Sequence, residues 1–203
     1  QRTQGDLNYF AALDFYNMTD NYATDERGFL LDFGVTKWFD DRHPLTVGLK
    51  TDFTNFQDTA KQNLNNFFLT PSFTYHGDQF KIKVGGNLTS HKDNLQFFPD
   101  IEGEVKILGN RLTAYAGWNG NLHKNNFQNL TDFNPFIISR IQLNNASFND
   151  FFGGVRGSVK VFDYQAQIGL KKVNNLALFL NAPLVVNRID TLRFNVLYDT
   201  ADI

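Results

Sequence analysis

The sequence predicts an all-β fold, an antiparallel up-and-down transmembrane barrel or a contiguous part of one. Three observations carry that expectation. Apolar and polar residues alternate along most of the chain, which sorts each strand into two faces. Twenty-two Phe and seven Tyr stand against a single Met, a strand-rich composition. The strands read as roughly 9–13 residues, long for globular proteins and close to the 9–11 tilted residues that cross a bilayer.

The most regular stretch, residues 67–122, sets the pattern. Leu69, Phe73, Tyr75, Phe80, Ile82, Val84, Ile101, Val105, Ile107, Leu112, Ala114 and Trp118 fall on one parity. Thr70, Thr74, Lys81, Lys83, Glu102, Glu104, Lys106, Thr113 and Asn119 fall on the other. Tight turns are expected at His76-Gly77-Asp78-Gln79 and Leu108-Gly109-Asn110-Arg111, where Gly and Asn supply positive φ. Residues 90–95 read as a longer polar connection.

Around this centre the chain gives strands at 6–17, 29–39 and 45–53, then at 148–161, 164–172 and 191–200. The turn between the eighth and ninth is expected at Phe162-Asp163. Residues 54–66, 123–147 and 173–190 read as long connections. About ten strands result, with short and long joints alternating as in a membrane barrel with short periplasmic turns. One domain spans 1–203. Gln1 and Ile203 read as cut ends, so further strands are expected outside this chain.

Several function classes are excluded or unsupported. The chain has no Cys, and a formal net charge of -2 offers no basic field for nucleic acid. No G-x-S-x-G elbow, phosphate-binding loop or H-E-x-x-H is present, so no catalytic, cofactor or metal residues are expected. The four His (His43, His76, His91, His123) read as isolated joint residues. Two weaker metal readings are His91 with Asp93 and His123, and calcium at Asn129–Asn134; solvated loops and Asx turns explain both more simply.

Lys81, Lys83, Glu102, Glu104, Lys106, Arg156 and Lys160 are expected on a lumen-facing, charge-balanced ladder, with Lys83 near Glu102. Phe39, Tyr75, Phe80, Phe97, Phe98 and Trp118 suit an interfacial girdle. In residues 123–147, Phe127, Leu130, Phe133, Phe136 and Ile137 are more apolar than a solvated loop needs. They are expected either to bind a partner or to fold back and plug the barrel.

Residues 97–137, above all LTAYAGWNGNLHKNNFQNLTDFNPF, resemble the barrel region of outer-membrane proteins of Bacteroidetes-type bacteria, described as TonB-dependent-receptor-like. The resemblance implies the outer membrane as location, with outer-membrane lipid and other envelope proteins as partners. Plug domain, energy-coupling box and terminal-aromatic strand are missing, so it does not imply active transport. The function expected is a non-enzymatic envelope-assembly, secretion or surface-interaction subunit. A passive porin and a soluble small-ligand-binding barrel are the alternatives.

Overall fold

The computed structural model describes residues 6–21, 24–91, 94–109, 111–181 and 193–202. Ten strands form one antiparallel sheet in sequence order: β1 (Leu7–Thr19), β2 (Asp25–Phe39), β3 (His43–Gln57), β4 (Lys61–His76), β5 (Phe80–His91), β6 (Asn94–Lys106), β7 (Thr113–Asn125), β8 (Asn144–Val159), β9 (Phe162–Asn181) and β10 (Phe194–Asp202). One short helix, α1 (Phe127–Phe133), lies between β7 and β8. No helix among the described residues is long and apolar enough to cross a membrane.

Residues opposite one another in an antiparallel ladder share a face, so the register identifies the two surfaces. Thr54 stands opposite Gly28 and Leu64, and Lys83 stands opposite Glu102. Hydrogen bonds between strands that are not ladder neighbours mark the concave side. Asn66 of β4 reaches Asn145 of β8, Lys124 of β7 reaches Asp52 of β3, and Asn87 of β5 reaches Asn121 of β7. A flat sheet cannot make these contacts. The sheet is therefore curled, with the polar parity inside.

The apolar parity lies outside and is left exposed. Leu7, Tyr9, Leu13 and Phe15 of β1, Leu45, Val47 and Phe53 of β3, and Phe80, Ile82 and Val84 of β5 are all solvent-facing. On β1, β3 and β4 this band runs over 7–15, 45–53 and 67–75, a rise of ~30 Å along each strand. Phe39, Tyr75, Phe80, Phe97 and Trp118 join the outer surface, but Phe98 is buried inside with Phe68 and Leu122. Phe98 belongs to the inward parity of β6, opposite Asn87.

Beyond the band the pattern inverts, and this corrects the expected joints. In 54–66, Phe56 and Leu64 point inward and are fully buried, while Gln57, Lys61, Asn63 and Asn65 point outward and are exposed. The expected Asn-rich loop is thus strand, because ladder pairing overrides weak β propensity. Only residues 58–60 separate β3 from β4, and only 92–93 separate β5 from β6. The alternation of short and long joints does not hold there. β9 likewise absorbs the start of the expected 173–190 connection, as far as Asn181; the rest of that connection lies outside the described residues.

Turns form at both expected places. Gly77 N–H donates to the Phe80 carbonyl but without the positive φ expected there, whereas Gly109 takes φ +56 at the β6–β7 joint. The β8–β9 turn instead falls on Lys160-Val161, with Lys160 at φ 57. Lys160 is therefore an exposed turn residue and not part of an inward ladder.

Candidate functional site

The expected long loop at 123–147 is mostly ordered structure. Residues 123–125 complete β7, α1 follows, and 144–147 begin β8. Asn126 caps α1, accepting from the Asn129 N–H at 3.3 Å, as an N-cap side chain does. Asn129 donates to the Lys124 carbonyl at 2.9 Å. The Asn129–Asn134 tip is thus helix and cap, with the Asn129 and Asn134 side chains bonded to nearby backbone.

Residues 126–143 lie across the concave side near one end of the sheet. Phe127, Leu130, Ile137, Ile141 and Leu143 join Phe56 and Leu64 in one buried cluster. Met18 of β1, Ala177 and Phe179 of β9, and Phe194 and Val196 of β10 pack against it. The two ends of the sheet thus converge on the same insert. The insert also uses backbone bonds: Phe194 N–H donates to the Phe136 carbonyl at 2.9 Å, and Ile138 N–H donates to the Phe194 carbonyl at 2.9 Å. Phe194 spends both groups there and not on its ladder partner Asn181. Residues 136–138 therefore cover part of the free edge of β10, where an open edge would otherwise invite pairing.

Three of the five apolar residues singled out from the sequence, Phe127, Leu130 and Ile137, are therefore buried within the insert's own core. Phe133 and Phe136 remain exposed, at 79% and 65%. Phe133 stacks on Phe179 with ring centroids 5.3 Å apart.

A buried carboxylate anchors the insert. Glu26 is fully buried and accepts four hydrogen bonds: from Phe127 N–H at 2.7 Å, Gln128 N–H at 3.1 Å, Asn126 Nδ2 at 2.8 Å and Tyr16 OH at 3.0 Å. The backbone donors belong to the first turn of α1, which lacks intrahelical partners. Gly28 makes the arrangement possible. It lies opposite Tyr16, and a Cβ there would fall 1.8 Å from the Tyr16 ring. Nothing in the sequence alone distinguishes Glu26 from the other carboxylates, since the insert that it holds is 100 residues away.

Below the insert the inward side chains form layers. The buried Lys124–Asp52 ion pair and the reciprocal Asn66–Asn145 amides, at 3.1 and 2.7 Å, make the first. Next is a polar cavity of about 480 Å³ lined by residues including Asp32, Lys50, Thr70, Asn87, Asp100 and Asn121. Nearer the other end, Lys83 stands directly opposite Glu102 but bonds Asp100 at 2.5 Å, one register step away. Lys81 stands opposite Glu104, whose carboxylate pairs with Arg156. Lys106 is exposed at the end of β6, opposite Thr113. Arg156 also lies over the Tyr115 ring, and Gln165 and Gln167 hydrogen-bond to the Tyr115 hydroxyl.

The His are not all isolated. His43 stacks on Tyr75 at 4.5 Å, and its Nδ1 accepts the His76 N–H at 3.1 Å, beside Phe80 at the short-turn end. His91 lies near the Asn65 carbonyl, and Asp93 is outside the described residues. Among the described residues no group of three His, Cys, Asp or Glu is placed to hold a metal ion. The arrangement provides a polar interior in which several charges are paired, Lys124 with Asp52, Lys83 with Asp100 and Arg156 with Glu104, inside an apolar exterior. No protein-family model matches the chain, and no curated protein matches it either.

Proposed function

We propose that this chain is a non-enzymatic outer-membrane β-barrel protein, or a contiguous part of one, that acts as an envelope-assembly, secretion or surface-interaction subunit. The observation that carries the proposal is the inside-out distribution of side chains. Large apolar residues from Leu7 to Leu197 are exposed around the convex side, while Asp52, Lys83, Asp100, Glu104, Lys124 and Arg156 pair on the concave side. Water would penalise such an exterior at ~25 cal/mol for every Å² of apolar surface, whereas hydrocarbon would accept it. The bands at 7–15, 45–53 and 67–75 have the length that tilted membrane strands require. A soluble barrel would carry the reverse distribution.

The insert favours a subunit over a passive porin. It lays a packed apolar core across one end of the concave side, where a passive pore would need an aqueous path, and its exposed Phe133 and Phe136 suit aromatic contacts with another envelope protein. A gated pore is the second reading, favoured by the polar cavity beneath the insert. Planar-bilayer recording of the purified chain, with and without residues 126–138, tests both. The subunit reading expects no steady conductance from the intact chain and loss of a co-purifying envelope protein on deletion. Steady conductance of the intact chain would reject it. Large conductance on deletion, with partners retained, would make the protein a gated pore. Solubility without detergent would reject the membrane reading itself.

A further inference from the structure

The sheet splits next to α1. The β8–β9 ladder ends at Ser147 opposite Asn174, and Asn175 takes φ 56. Above that point β9 continues to Asn181 paired only with β10, while the start of β8 pairs only with β7. α1 packs into the divergence without filling it. A cleft of about 440 Å³ remains, walled mainly by Leu130, Phe133, Phe148, Leu176, Leu178 and Phe179. This volume lies in the range of small-molecule sites, which are typically apolar with a few placed polar groups.

The polar group here is Asn125. It lines the cleft and is 6% exposed, and its Nδ2 has no hydrogen-bond partner. The neighbouring Asn129 amide is already committed to Lys124, and the His123 ring packs edge-on against Phe148. A buried amide donor left unmatched is costly, so the cleft is complementary to an apolar body carrying one acceptor oxygen. We infer that the split holds an acyl chain whose carbonyl or carboxylate oxygen accepts from Asn125 Nδ2. The wall continues onto the exposed side chains of Leu178 and Leu180, which gives a chain a sideways entry. No covalent step is involved, and the inference does not depend on the membrane reading.

The test is photolabelling of the full chain in cholate with palmitate that carries a terminal diazirine, mapped by peptide mass spectrometry. Label is expected on 130–133 and 176–179, displaced by unlabelled palmitate. Asn125→Leu should lower it by about tenfold, the loss of one hydrogen bond to a charged oxygen, while Asn125→Gln restores it. Leu176→Trp, which fills the cleft from the half-buried side, should also abolish it, so the test does not rest on one variant's folding. Competition by diacyl phospholipid vesicles would identify the bilayer as the source, and competition by free palmitate alone a soluble fatty acid. Label spread over outward positions such as Leu13 and Ile168, or unchanged in Asn125→Leu and Leu176→Trp, would overturn the inference.

Discussion

The carboxylate of Glu26, in the second strand, accepts the backbone N–H of Phe127 at 2.7 Å, joining two parts of the chain 101 positions apart. It is the main polar attachment between the curled sheet and the first turn of the insert. Glu26→Ala leaves the backbone donors of Phe127 and Gln128 without an acceptor, while the Asn126 amide keeps its bond to the Tyr16 hydroxyl. The expected cost is about 3 kcal/mol or more, since bonds to charged groups contribute ~1.5–3 kcal/mol each and do not simply add. Chemical unfolding of the reconstituted protein measures it. Limited proteolysis should cut within 126–143 in the variant and spare that segment in the parent.

Adjacent residues of β1 test whether the outward face meets lipid. Leu13 points outward and is 67% exposed, while Ala12 points inward opposite Asp32. Leu13→Arg should cost ~2–4 kcal/mol in a bilayer if it lies near the midplane, as should Val84→Arg. Ala12→Arg places a cation beside Asp32 and should cost less than ~1 kcal/mol. Equal costs at positions 12 and 13 would mean that neither face contacts hydrocarbon.

The Lys124–Asp52 pair is mostly buried, with side chains 8% and 15% exposed. Removing one partner strands the other, so Lys124→Met should destabilise by about 3–5 kcal/mol. Replacing both, with Asp52→Leu added, should recover most of that loss, because the desolvation cost disappears with the charges. A double-mutant cycle in chemical denaturation gives the coupling directly.

Lys83 and Asp100 form a more exposed pair, at 34% and 29%. Solvent screens such contacts, and their coupling should fall at about 0–1 kcal/mol, weakening as salt is raised. A coupling several times larger would mean that the interior at this level excludes water.

The opposite parities of Val84 and Lys83 were legible in the sequence, because a strand period of two leaves no other arrangement once alternation is this regular. So were the ten strands, the Gly77 and Gly109 turns and the Lys83–Glu102 register, which follow from local turn chemistry and the apolar pattern. Phe56 and Leu64 were not legible as strand residues facing inward. Their Asn-rich surroundings have the composition of a loop, and only pairing with neighbours, together with the insert that they pack against, makes strand the lower-energy state. The joint between β8 and β9 slipped for a related reason: Lys160 tolerates φ 57 in place, a choice that ladder register makes and composition does not. Tertiary structure alone decided that Phe127, Leu130 and Ile137 point into the curled sheet, that Glu26 holds them there, and that Asn125 is left with an unmatched donor. Those outcomes depend on contacts between residues tens to a hundred positions apart, and the alternation of neighbouring side chains carries no information about them.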